Sequence, residues 1–132
     1  MDIEDLKIIL RQFDEALSRF EEGLKEDPNE NPIFIDGTIQ RFEFCFEMSW
    51  KVIKRFLQYY GIKASSPREA FKEAFKRGWL TEGDELWSAM IDDRNDTVHT
   101  YNKEIALKIY SHLNRYFKAL NGLRGKLQEE IN

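Results

Sequence analysis

The chain has 132 residues, 42% of them hydrophobic and 33% charged, with ten Phe, five Tyr and three Trp, so it fits one packed domain over residues 1–132 that buries roughly two-thirds of its unfolded surface. Its formal net charge of −4 excludes a molecule that draws nucleic acid onto its whole surface, and any RNA contact has to be local. A single Cys45 excludes an internal disulfide, no apolar run approaches the roughly 18 residues of a membrane helix, and no basic-then-apolar leader opens the chain, so a cytoplasmic protein with no membrane attachment is expected.

From Ile3 the apolar positions Ile3, Leu6, Leu10, Phe13, Leu17, Phe20 and Leu24 alternate steps of three and four, which is the seam of a helix in an antiparallel bundle. Asp2 is suited to cap it, and Asp27-Pro28-Asn29-Glu30-Asn31-Pro32 ends it as a loop, because a proline pushes the preceding residue out of helical conformation. A longer helix is expected to begin between Pro32 and Asp36 and to run to Tyr60, with Gly61 as its stop. Ile39, Phe42, Phe46, Ser49, Ile53, Phe56 and Tyr60 form one stripe on it; Cys45, Met48, Val52 and Tyr59 form a second, widened by Trp50 and Leu57. A helix that is apolar on two sides is central in its own fold or covered by another chain. Both are expected here, and the chain is read as a homodimer or a higher even oligomer.

Ser65-Ser66-Pro67-Arg68-Glu69 is a helix start, with Ser66 as N-cap, Pro67 in the first turn and Glu69 closing a capping box. A short helix follows, with Ala70, Phe71, Ala74 and Phe75 as its inner face and Gly78 as its end. Thr81 is expected to cap the next helix, with Glu82 and Asp84 in its first turn and Leu86, Trp87, Met90 and Ile91 as anchors. Asn102 caps a last long helix with the seam Ile105, Ile109, Leu113, Tyr116, Leu120, Leu123 and Leu127, flanked by Tyr110 and Phe117. No strand pattern competes, so the fold class is all-α: an up-down four-helix bundle with one additional short helix.

Between the last two helices the apolar pattern breaks into Asp92-Asp93-Arg94-Asn95-Asp96-Thr97-Val98-His99-Thr100-Tyr101. Arg94 is a permanent forked cation suited to phosphate oxygens, and His99 is the nearby side chain whose ordinary pKa lets it exchange protons near neutrality. On one unbroken helix, residues five apart point about 140° away from each other. Convergence of Arg94 and His99 therefore requires Arg94 in a last helical turn and a bend at Asn95-Asp96-Thr97, with Asp92, Asp93 or Asp96 available to pair with the guanidinium. Asp96-x-x-His99 echoes half of a carboxylate-bridged metal site, but no second copy and no Cys or His cluster accompanies it, so neither a metal nor another cofactor is expected. His112 lacks such neighbours and reads as structural or exposed.

Written as R-x-x-x-x-H-x-Y, with Arg94-Asn95, His99 and Tyr101 on the pattern and Gly83-Asp84, Trp87 and Met90 flanking it, the segment resembles the signature of HEPN proteins, in particular the HepT toxin branch, also described as nucleotidyltransferase substrate-binding proteins. The resemblance implies a HEPN-like helical fold and a metal-independent ribonuclease with Arg94 and His99 as catalytic residues and Asn95 as their support; Asp96 is read as a further support, a carboxylate placed to hold the guanidinium. It also implies RNA as substrate, a dimer that doubles the site, and an MntA-like nucleotidyltransferase antitoxin as partner, which transfers AMP to Tyr101. The alternative in the same family is a non-catalytic subunit that binds substrate or nucleotide for the nucleotidyltransferase. The lysines and arginines of the second and third helices, among them Lys51, Lys54, Arg55, Lys72, Lys76 and Arg77, read as solvated faces that could also guide a phosphate backbone.

Overall fold

A computed structural model describes residues 2–132. It has five α-helices and no strand among them: α1 (Ile3–Leu24), α2 (Ile33–Tyr59), α3 (Pro67–Lys76), α4 (Asp84–Asp96) and α5 (Lys103–Ile131), with a 3₁₀ turn at Thr97–His99 between the last two. The all-α bundle expected from periodicity is the observed fold. Its proportions are uneven, because α1, α2 and α5 are long while α4 has only 13 residues and α3 has 10.

The expected caps explain most of the boundaries. Asp2 accepts from Asp5 N–H while Asp5 reaches back to the Asp2 N–H, a reciprocal box. Ser66 accepts from Glu69 N–H, and Asn102 accepts from both Glu104 and Ile105 N–H. Gly61 and Gly78, at φ of 78° and 77°, turn the chain out of α2 and α3 through a conformation that other residues adopt only with strain.

Several expectations fail. Glu69 accepts from the Ser65 N–H rather than from that of Ser66, so the expected capping box at α3 is not closed, and Tyr60, at the end of the expected inner stripe of α2, is exposed. Thr81 does not cap α4, which starts three residues later with Gly83 in the cap position and no side-chain bond, leaving Asp84 and Glu85 to complement the dipole. Thr81 packs instead against α5, where a Cβ added at Gly122 would meet its hydroxyl at 2.7 Å. Phe75 is 52% exposed rather than internal, because Ala70, Phe71 and Ala74 already fill the buried stripe of α3.

Pairs of contacts give the helix directions. Phe20 meets Phe42 and Gly23 lies against Thr38, so α1 and α2 are antiparallel. Phe117 meets Phe20 while Arg124 reaches Asp14 at 3.5 Å, so α5 runs against α1. Tyr116 stacks on Phe42 at 5.3 Å and Glu130 reaches Tyr60, so α5 runs with α2. Aromatic rings link the layers: Phe42 to Phe46, Phe46 to Phe71, and Phe71 to Trp87 of α4 at 4.8 Å. Each such pair adds about 0.5–1.5 kcal/mol to ordinary apolar burial. Within the second stripe of α2, Cys45 and Val52 are buried in this core, whereas Met48 is half-buried and Tyr59 exposed. Burial pushes the Cys45 thiol up to about 12, which keeps it protonated and unreactive. No described helix is long and apolar enough to cross a membrane.

Candidate active site

α4, 13 residues long, is the shelf that carries the candidate site. Trp87 and Met90 are fully buried beneath it, and the helix ends at Asp96 after presenting Arg94 in its last turn. The bend comes later than expected, since Asn95 and Asp96 still belong to the helix and the change of path is the 3₁₀ turn over Thr97, Val98 and His99. Thr97 Oγ1 donates to the Arg94 carbonyl at 2.7 Å, satisfying a helix-end acceptor, and Thr100 Oγ1 donates to the Thr97 carbonyl.

The Arg94 side chain, 26% exposed, does not pair with Asp92, Asp93 or Asp96. Its Nε lies 3.3 Å from Oε1 of Glu47 on α2. That N–H is buried and not aligned on the oxygen, so the approach is a charge contact rather than a hydrogen bond. Nη1 donates weakly to Thr97 Oγ1 at 3.4 Å. The other Glu47 oxygen accepts from Trp50 Nε1 at 3.2 Å, which fixes the carboxylate from behind. Among the described residues, Nη2 makes no hydrogen bond, leaving donors of the fork for a ligand anion.

His99 and Tyr101 are both exposed, Tyr101 at 85%, with Tyr101 Oη 3.4 Å from His99 Nδ1 and the rings edge-to-face at 5.9 Å. The imidazole and the phenol are thus together, as their spacing suggested. No hydrogen bond or ion pair joins His99 to Arg94 among the described residues. The polar partners of the guanidinium are Glu47 of α2 and Thr97, and that of the imidazole is Tyr101 in the loop into α5.

Asp93 turns the other way. It is buried, and its Oδ2 accepts from Tyr116 Oη at 2.5 Å and pairs with His112 Nδ1 at 2.7 Å, tying α4 to α5. Burial, followed by the adjacent Asp93 carboxylate, pushes the Tyr116 phenol well above the ordinary tyrosine range, so it remains a donor. His112, half-exposed, is therefore a structural tie. Asn95 and Asp96, the expected supports, are exposed and line an open groove of about 600 Å³ with Asp92, Asp93, Lys108 and His112; among the described residues no hydrogen bond joins either to Arg94 or His99. No group of three or more His, Cys, Asp or Glu side chains among the described residues is arranged to hold a metal ion.

Sequence reasoning missed Glu47. The available signal was a carboxylate flanked by Phe46, Met48 and Trp50 on a largely apolar helix, but spacing along one helix cannot tell which residue of another it faces.

The model of the family described as "Nucleotidyltransferase substrate binding protein like" matches residues 9–129. The chain belongs to that family. Within it, the chain is similar to a Haemophilus influenzae protein named "Probable ribonuclease HepT", 36% identical over 87 residues, a match covering 62% of this chain and 59% of that relative. A solved structure from Thermus thermophilus is 36% identical, with a TM-score of 0.78 over 87% of this chain and 98% of that one. A second solved structure, from Haemophilus influenzae, is described as the fold of a substrate binding domain of a nucleotidyltransferase. At 24% identity it shares the fold, with a TM-score of 0.69 over 96% of this chain and 99% of that one. The resemblance of the chain to the HepT-like family and the helical fold are thereby borne out.

Proposed function

We propose that this member of the nucleotidyltransferase substrate-binding family is a HepT-type toxin, a metal-independent endoribonuclease in which Arg94 and His99 are the catalytic residues. The observation that carries the reading is an exposed imidazole at the tip between α4 and α5, in the same short segment as a guanidinium braced by Glu47 with donors free. His99 removes the proton of an RNA 2′-hydroxyl, whose oxygen attacks the adjacent phosphorus. Arg94 stabilises the charge that gathers on the phosphoryl oxygens, and the P–O5′ bond breaks as the leaving oxygen takes a proton. The products end in a 2′,3′-cyclic phosphate and a 5′-hydroxyl. A base and an acid are both required, and a two-fold homodimer supplies the second through His99 of the partner subunit. Asn95 and Asp96 would act from the α4 flank, through the placement of RNA rather than through contact with the catalytic pair.

Tyr101 is the proposed AMP acceptor for an MntA-like nucleotidyltransferase antitoxin. Its high exposure makes the phenol oxygen reachable for attack on the α-phosphorus of ATP, with pyrophosphate leaving. Its closeness to His99 means that an attached, negatively charged adenylyl group blocks the imidazole and repels RNA. The competing reading, a non-catalytic substrate-binding subunit, is favoured by the description of the family itself. Purified chain incubated with RNA and excess chelator separates the two. The toxin reading expects products with cyclic-phosphate ends that disappear in His99→Ala at unchanged helicity. Equal cleavage by wild type and His99→Ala, or none by either, overturns it.

A further inference from the structure

The charge of this chain is unevenly distributed. Between Lys51 and Leu80 eight lysines and arginines face two glutamates, so that stretch carries +6 in a chain of net −4, leaving −10 on the remainder. Both glutamates are engaged locally: Glu69 accepts from the Ser65 N–H, and Glu73 pairs with Lys76 at 3.3 Å. The basic stretch spans the end of α2, the loop after it, α3 and the turn that follows; Phe46 packs on Phe71 of α3, and Phe56 on Trp79 of that turn.

On α2 this charge is aligned with the candidate site. Residues 47, 51, 54, 55 and 58 fall on one helical face by their three-four spacing. Lys51, Arg55 and Gln58 are exposed there, and Lys54 holds its ammonium over the Trp50 ring with Nζ 5.8 Å from the centroid. Glu47, which begins the row, is the residue that braces Arg94. From Glu47 to Arg55 the axial rise is about 12 Å. At the far end Tyr59 and Tyr60 stand edge-to-face at 5.3 Å, 45% and 41% exposed, with the Arg77 guanidinium 4.2 Å above the Tyr60 ring. Glu130 is the acidic neighbour that reaches this end, held by the Tyr60 hydroxyl.

We propose that this ridge, Lys51, Lys54 and Arg55 with Tyr59 and the Arg77–Tyr60 stack, is a docking track for single-stranded RNA that leads the phosphate backbone to Arg94. The proposal rests on the ribonuclease reading for its direction, though not for its binding chemistry. A row of cations neutralises phosphates without regard to sequence, while exposed phenol rings and a guanidinium plane offer stacking surfaces to unpaired bases. An otherwise acidic surface repels RNA elsewhere and so confines it to the track.

The test measures binding of a fluorescein-labelled 20-nucleotide single-stranded RNA to the full-length chain carrying His99→Ala, so that cleavage does not intervene. The added triple substitution Lys51→Gln, Lys54→Gln and Arg55→Gln is expected to weaken binding at least tenfold at physiological salt. It should also lower the slope of log affinity against log salt by about 2, from roughly 0.7 per lost phosphate contact on a single strand. Tyr59→Ala is expected to weaken binding about fivefold or more with the slope unchanged. The control Lys7→Gln with Arg11→Gln, two exposed cations of α1, keeps affinity within twofold. Each of the following overturns the track: no binding by the parent, undiminished binding by the triple variant, an equal loss in the control, or binding to anionic phosphatidylserine vesicles that falls with the triple substitution while RNA binding does not. RNA that binds the ridge but is left uncut by a chain with native His99 removes the ribonuclease reading and leaves the track standing. A triple variant that cuts with unchanged KM removes the track and leaves the ribonuclease.

Discussion

Asp93→Ala is the most informative single perturbation of the scaffold, because it cuts the joint between α4 and α5 next to Arg94 without touching Arg94. The wild-type carboxylate accepts a buried bond from Tyr116, and a hydrogen bond to a charged group stabilises by about 1.5–3 kcal/mol. The contact with His112, whose side chain is 32% exposed, is screened by solvent and adds only about 0.5–1 kcal/mol. Truncation also strands the Tyr116 hydroxyl in the core, at a cost of about 1–3 kcal/mol. Because the worth of the Tyr116 bond and the cost of its stranded hydroxyl overlap, the expected loss lies in the lower part of their sum, about 4 kcal/mol, a large share of the 5–15 kcal/mol typical of a domain. At about 2.1 cal/mol/K per residue, a 132-residue chain has an unfolding entropy near 0.28 kcal/mol/K, which converts that loss to a fall in Tm of about 14 °C. Asn at the same position keeps the shape and one acceptor, and should lower Tm by about half as much. Calorimetric melts of the two variants, with Tyr116→Phe alone and combined with Asp93→Ala, make the measurement. The two changes should be strongly non-additive, since both remove the same bond. Asp93→Ala melting within 3 °C of the parent, or simple additivity with Tyr116→Phe, would refute this account of the joint.

Glu47→Gln keeps the bond to Trp50 but weakens the charge contact that orients Arg94, so kcat for RNA cleavage should fall about tenfold, roughly 1.4 kcal/mol, with KM nearly constant; steady-state kinetics with unchanged kcat would detach Glu47 from the site. Alkaline conditions should destabilise the fold. The folded Cys45 thiol holds its proton up to about 12, while the unfolded one releases it near its ordinary value of 9.0. That stability is fully present below about pH 9 and falls by about 1.4 kcal/mol per pH unit above it. Urea titrations should find the slope reduced in Cys45→Ala between pH 9 and 11, and an identical slope would contradict burial of the thiol. Gly125→Ala, with open space around it, should stabilise α5 by about 0.5–1 kcal/mol, whereas Gly122→Ala should not, because its methyl would meet Thr81. The gain at residue 122 should reappear once Thr81→Gly is added, and equal melting shifts for both single variants would remove the contact.

The helices were legible because their information is local. The alternation from Leu6 to Phe20, and that from Ile109 to Leu127, marks buried faces that the structure reproduces, and the Asp2, Ser66 and Asn102 caps are two- or three-residue signals. Thr81 misled because a capping residue competes with tertiary packing: a hydroxyl facing the bare backbone of Gly122 has another use. The Arg94, His99 and Tyr101 segment was legible as a motif, and the pairing of His99 with Tyr101 followed from their spacing. The partners of Arg94 and Asp93 were not. Glu47 lies 47 residues from Arg94 in the chain and His112 lies 19 from Asp93, and choosing among nearby carboxylates requires knowing which faces of which helices meet.

That α2 and α5 run in the same direction has a consequence for the order in which the molecule is built. The return path from Tyr60 to Asn102 has anchors on both sides of it in the chain: Phe71, Trp79 and Arg94 meet α2, which is made before it, whereas Asp93 meets Tyr116 and His112, which are made after it. On the ribosome Arg94 therefore emerges after its Glu47 partner but with Asp93 still unmatched, and α4 gains its second tie only when α5 follows. A nascent chain stopped short of His112 would hold α4 from the α2 and α3 side alone, through Glu47 and the Phe71–Trp87 rings, with Asp93 unpaired.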